Sequence, residues 1–310
     1  MMTALQSNQG RWINLISSVN YFEASFNQRV PFLSLATLSF QEASCLSKAN
    51  NFDEFADQIR KIIGHAKERG FVLRIMGGSA IRMHCPKYSY LYEKLKRRPK
   101  HDMDFVTYGK FRSASRKLFV ELGFVPFVSL MLSGEKGKYR QIFNDKEGNE
   151  AVDVFLDKLQ MCHVIDFKGR LEVDSPTVPL AELLLQKLQI VEVNEKDIQD
   201  TLILLREHEI GDNDQEQING NFVGSTLAKD WGFNLTVTKN LSMICDRLRD
   251  YPGLEKEDQD VIAKRIEVLR QRIDEAPKTT SWKMRSRLGE SVRWYTVVDN
   301  VQRQTPTTPH

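Results

Sequence analysis

Three short runs of the chain hold residue types that could handle a phosphate and a cation. Gly77-Gly78-Ser79 interrupts a strand-like run (Phe71–Met76) just before a helix-like one (Ala80–His84). Such a turn allows close backbone approach and leaves helix N–H groups free to hold a phosphate, though glycine pairs are also ordinary turns. Asp102-Met103-Asp104 follows 25 residues after Gly77. On a strand, period 2 sets both carboxylates on one face, where they repel and call for a cation. Oxygen-only ligands suit Mg²⁺. The plain alternative is a solvent-facing strand edge. Asp153 lies in Ala151-Val152-Asp153-Val154-Phe155. An acid among β-branched residues is costly unless it has a partner or faces water from an edge strand.

The elements that must position these residues can be read from period and punctuation. A helix capped by Asp53 runs to Gly70, with Phe55, Ile59, Ile62, Ile63 and Ala66 at helical spacing. Asp102–Tyr108 is a strand and Lys110–Leu122 a helix. Lys138–Asn144 and Glu150–Leu156 form a hairpin about a glycine turn, and His163–Phe167 with Arg170–Val173 form another around Lys168-Gly169. Leu180–Val193 and Glu195–His208 are helical. Helices are expected at 214–230, 235–250, 256–275 and 279–300. The expected divisions are an N-terminal extension (1–50), an α/β core (51–176), a helical part of the same domain (177–210), a C-terminal helical domain (211–304) and a disordered tail (305–310).

The order Gly-Gly turn, D-x-D strand, later lone Asp resembles the nucleotidyltransferase superfamily of polymerase β-like enzymes. The resemblance implies an α+β fold: a nucleotidyltransferase-type mixed β-sheet flanked by helices, followed by an all-α C-terminal domain. It implies a two-metal site in which Asp102 and Asp104 hold two Mg²⁺ ions bridging an NTP. Asp153 would complete the acceptor-side metal and assist deprotonation of the attacking hydroxyl. Gly77, Gly78 and Ser79 would hold the triphosphate.

A lysine in the apolar run Leu183-Leu184-Leu185-Gln186-Lys187-Leu188, followed by Glu195-Lys196-Asp197-Ile198-Gln199-Asp200, could simply snorkel. The same pair of helices is similar to that of AbiEii-type toxin nucleotidyltransferases. That likeness assigns Lys187 to the nucleotide phosphates and Asp197 to support of the site, with Asp200 capping or pairing locally. It covers about residues 70–210. The family run R-x-[S/T]-x-D-x-D is matched by Arg98, a nucleotide-binding candidate, but Lys100 stands where a small hydroxyl is usual. Arg98–Thr107 also resembles the strand of tRNA CCA-adding enzymes and poly(A) polymerases, although Ser79-Ala80-Ile81-Arg82 replaces their V-R-D segment. The activity implied is Mg²⁺-dependent transfer of NMP from an NTP to an RNA, tRNA, protein or small-molecule acceptor. An antitoxin partner would follow if the enzyme is a toxin. The rival class is a non-catalytic nucleotide- or RNA-binding module on the same fold.

Lys94–Lys100 carries five basic residues in seven. It reads either as a solvated loop or as a clamp for triphosphate or RNA backbone. Within 261–294, nine Lys/Arg face four Asp/Glu, with Trp282 and Trp294 interspersed. This is either an ordinary packed helix or a polynucleotide surface. His84-Cys85 and Cys162-His163 match no zinc spacing, and His101 alternates away from the acids. The 310 residues, 41% hydrophobic and 27% charged with net charge +3, exclude a collagenous or wholly disordered chain. Four separated cysteines, no signal-like N-terminus and no long apolar run lead to an expectation of a cytoplasmic protein without a membrane partner.

Overall fold

The computed structural model describes residues 51–98, 102–127, 135–148 and 150–298. All of them lie within the unit Leu38–His310. Expectations for 1–50, for Lys100 and His101, and for the tail fall outside the described residues.

Helix α1 (Phe52–Glu68) buries the expected stripe. Its cap is Asn51 rather than Asp53: the Asn51 side chain accepts the Glu54 N–H at 2.9 Å, and Asp53 sits in the first turn, where the helix dipole favours an acid. Strand β1 (Arg74–Ile75) is followed at once by α2 (Gly77–His84), so the glycine pair opens the helix itself. A short helix, α3 (Leu91–Lys94), precedes strand β2 (Met103–Thr107). Helix α4 (Arg112–Glu121), strand β3 (Val125–Pro126), helix α5 (Glu135–Lys138) and the hairpin β4 (Arg140–Asn144) and β5 (Glu150–Leu156) complete the sheet region.

The sheet order is β1-β2-β5-β4-β3, with β2 and β5 parallel and the other pairs antiparallel. One face carries Phe105, in register with Val154, and it is covered by rings. Phe119 of α4 lies 5.5 Å from Phe105, 6.0 Å from Phe124 and 5.1 Å from Phe143, centroid to centroid. Burial of each such ring contributes roughly 1.5–3 kcal/mol. The other face presents Asp104.

The second hairpin differs from expectation. It joins β6 (Lys158–Gln160) to β7 (Val164–Asp166). A turn does occur at Gly169, which has φ +69°. Arg170 then leaves the sheet to pair with buried Glu182 and with Asp214, so Arg170–Val173 forms no strand.

Helix α6 (Leu180–Leu188) is apolar nearly all round and therefore buried. It stops before Val193 because Asn240 donates to the carbonyls of Leu188 and Ile190 at 2.9 and 2.8 Å. Helix α7 (Glu195–Glu207) is capped by Asn194. Two short parallel strands follow, β8 (Ile210–Gly211) and β9 (Ile218–Asn219), and β9 occupies part of the stretch 214–230 expected to be helical. The helices that follow are α8 (Gly220–Leu227), α9 (Trp231–Asp246), α10 (Lys256–Glu275) and α11 (Thr280–Ser286). Helix α10 has a capping box between Glu255 and Asp258. The last helix is shorter than the expected 279–300. Gly289 has φ +56°, and Trp294 folds back onto Trp231 at 6.5 Å. One hydrophobic core runs continuously from α1 through α10. No helix among the described residues is long and apolar enough to cross a membrane.

Candidate nucleotide and metal site

The site is assembled where β1 ends. The Met76 N–H donates to the Asp104 carbonyl at 2.8 Å, extending the β1–β2 ladder by one residue and setting Gly77 beside Asp104. Gly77 has φ +71°, a left-handed conformation that L side chains rarely adopt. A Cβ there would lie 2.9 Å from Asp104 Oδ2. At Gly78 a Cβ would meet Arg97 Nη2 at 3.1 Å and Asp200 Oδ2 at 3.2 Å. The glycine pair is thus pressed between two carboxylates, which an ordinary turn does not require. The Ser79 hydroxyl donates to the Asp102 carbonyl at 2.8 Å and ties the turn to the strand, so its Oγ–H is already used. The Gly77 N–H donates to Gln186 Oε1 at 3.0 Å. Nε2 of the same buried amide has no partner among the described residues.

Asp104 and Asp153 are register partners on the parallel strands β2 and β5, so their side chains share a face. Asp102 precedes β2 and is exposed. Burial, then the neighbouring Asp153 and Asp102 carboxylates, push the Asp104 carboxyl up to about 7. Lys187 and Arg140 oppose this rise, although each is also paired with other carboxylates: Lys187 with Asp197 and Asp200, Arg140 with Asp153. The hard oxygens of Asp102 and Asp104 fit Mg²⁺. Asp153 fits conditionally, because both its oxygens accept from Arg140, at 2.9 Å from Nε and 2.5 Å from Nη2. Each Asp153 oxygen keeps one lone pair that could ligate an ion beside Arg140.

Behind the glycines lies an ion cluster. Lys187 Nζ is 2.9 Å from both Asp197 Oδ1 and Asp200 Oδ2. Burial works against its charge, but the two carboxylates more than offset this and hold its pKa above the ordinary lysine value. Asp197 sits in the first turn of α7 and also accepts from Asn194 at 2.7 Å. Asp200 is fully buried. Against expectation it pairs far along the chain, with Arg97 Nε at 2.7 Å and Nη2 at 2.9 Å, as well as with Lys187. Burial pushes its pKa up, yet Lys187 and Arg97 hold it below the usual carboxylate value.

The guanidinium that reaches the glycine turn belongs to Arg97. Arg98 is exposed and lines the cleft beside it. Gln186, Arg97 and Arg140 were not singled out from sequence. A polar residue facing Gly77 from an apolar helix is visible at Gln186, but nothing local marks the other two. In a further group of possible metal ligands, His84, His208 and Glu216, the two histidines hold α2 to the end of α7. His208 bonds the carbonyls of His84 and Glu216 at 3.0 and 3.2 Å, and His84 contacts Thr177 and Asp174.

No family model and no curated protein matches the chain. Among solved structures, an antigenic nucleotidyltransferase-like protein from Paracoccidioides brasiliensis is similar at 12% identity and a TM-score of 0.35, covering 74% of this chain and 96% of that one.

Proposed function

We propose that the chain is a nucleotidyltransferase that moves NMP from an NTP to an acceptor and releases pyrophosphate. The observation that carries this reading is the packing of the Gly77–Gly78 turn directly against Asp104, itself in register with Asp153. A helix start able to hold phosphate and a cation-demanding carboxylate pair then lie side by side. Asp102 and Asp104 would hold Mg²⁺, and Asp153 would complete the ligands of a second ion. The chemistry the metal would supply is neutralisation of the triphosphate and of the departing pyrophosphate. The N–H groups of Gly78 and Ser79, left without an intrahelical acceptor in the first turn of α2, would cradle the phosphates. Lys187, kept charged by Asp197 and Asp200, faces the same anionic tail. Asp153 would take the proton of the attacking hydroxyl. Incubation with α-labelled NTP, Mg²⁺ and RNA or protein acceptors tests the reading, and label should appear on an acceptor. If the enzyme is a toxin, its expression alone should arrest growth and a cognate antitoxin should restore it.

One observation favours a second reading, a binding module that does not transfer. Arg140 occupies both oxygens of Asp153, as a cation substitute would. Calorimetry separates the two: NTP binding indifferent to Mg²⁺ supports the module, and metal-dependent binding supports the enzyme.

A further inference from the structure

A cleft of ≈ 670 Å³ opens between α2, α3 and the Lys96–Arg98 segment, a size suited to a small ligand or a nucleotide-sized group. Its charge is one-sided. Arg82, Lys96, Arg97 and Arg98 line it, and Glu93 is the carboxylate among its lining residues. Arg97 is neutralised by Asp200. The other three cations form no ion pair among the described residues.

One feature sets the cleft apart from a chance collection of surface charge. The Arg82 guanidinium is held over the rings of Phe52 at 4.2 Å and Tyr92 at 5.2 Å. This fixes its plane before any ligand arrives, and the planar fork suits bidentate contact with a phosphate. Tyr92 is only 5% exposed, so its ring is a fixed floor for that guanidinium. Lys96, the left-handed residue at φ +55° that ends α3, is exposed and lines the same cleft.

The place of the cleft gives its meaning. Arg82 lies one turn after Gly78 on α2, and the Arg97–Asp200 pair borders Gly78 while Arg97 also lines the cleft. We infer that the cleft is a phosphate-binding subsite, formed by Arg82, Lys96 and Arg98, adjoining the glycine turn. That its phosphate belongs to a nucleotide or a polynucleotide rests on the function proposed above. Two sources share this chemistry: the backbone of an RNA acceptor and the triphosphate of the NTP itself.

The test is binding, which needs no transfer. The intact protein is titrated with a fluorescent single-stranded RNA oligonucleotide and, separately, with ATP plus Mg²⁺. The variants are Arg98→Gln, Lys96→Gln, Arg82→Gln and Arg82→Lys, with circular dichroism as the folding control. Arg98 and Lys96 are exposed, so their variants remain informative even if an Arg82 variant misfolds. A tenfold or greater weakening of RNA with ATP unchanged assigns the cleft to the acceptor backbone. The converse assigns it to the triphosphate. Arg82→Lys should recover part of the loss. If Arg98→Gln and Lys96→Gln together leave both ligands at wild-type affinity, the subsite does not exist. A wild-type protein that binds through the cleft but transfers no label would overturn the proposed reaction and leave the subsite standing.

Discussion

Asp104 on β2 stands directly beside Asp153 on β5, in parallel register and on one face of the sheet. Burial and this neighbour bring the Asp104 carboxyl to about 7. Near neutral pH the pair therefore strains the fold, a common price of a functional site. Asp104→Asn keeps the shape and removes the charge. It should raise the melting temperature in metal-free buffer at pH 8 by about 2–4 °C, the shift expected for about 1 kcal/mol in a domain of this size. A fall in melting temperature would show that Asp104 is held by favourable contacts.

Gly77 has a second, steric tie to the same carboxylate. Gly77→Ala puts a methyl group 2.9 Å from Asp104 Oδ2 at φ +71°. The conformational strain alone is about 1–3 kcal/mol. Gly64, inside α1 with open space around it, is the internal control. There Ala should stabilise by about 0.5–1 kcal/mol. Urea unfolding of the two variants should give opposite signs, and equal small effects would remove the special role of Gly77.

Asp200 joins Arg97 and Lys187 behind the turn. Removing one partner of a buried ionic cluster leaves the others uncompensated, a loss of about 3–5 kcal/mol. Asp200→Asn should therefore shift the urea midpoint far more than Lys256→Gln, whose exposed pair with Asp260 contributes under about 1 kcal/mol. Comparable midpoints would mean that the cluster is not a structural unit.

His163 gives the fold an acid-sensitive point. It is buried, stacks on Phe233 at 4.9 Å, and its Nε2 lies 2.8 Å from Thr236 Oγ1. Trp294 Nε1–H donates to the same oxygen at 3.2 Å. Burial lowers the His163 pKa from 6.5 to about 4, with Asp230 opposing. Between those values the unfolded chain binds the proton and the folded chain does not. Stability is therefore complete above about 6.5 and falls as pH drops toward 4, by up to about 3 kcal/mol. His163→Gln should flatten that part of the pH–stability profile, and an unchanged slope would exclude this histidine as the cause.

Local features were legible in the sequence because their signals are local. The D-x-D strand shows in period 2, the β4–β5 hairpin in its glycine turn, and α10 in an unbroken helical period over 256–275. Partners brought together by the fold were not legible. Nothing near Arg97 announces Asp200, 103 residues away, and nothing near Asp153 separates Arg140 from the other basic residues of that stretch. The Arg170–Val173 run misled because its alternation mimics a strand, while Arg170 is drawn to Glu182 and Asp214. Helix α11 ends early through a left-handed Gly289 and the packing of Trp294, which no period reveals.

The central claim is that Asp102 and Asp104 support metal-dependent transfer of NMP. Its most direct measurement is acceptor labelling from α-labelled NTP by wild type, Asp102→Asn and Asp104→Asn, with and without Mg²⁺. The account predicts labelling by wild type only with Mg²⁺, and a loss of at least about a hundredfold in each variant, or roughly 2.7 kcal/mol of barrier. Labelling by Asp104→Asn at the wild-type rate would contradict it.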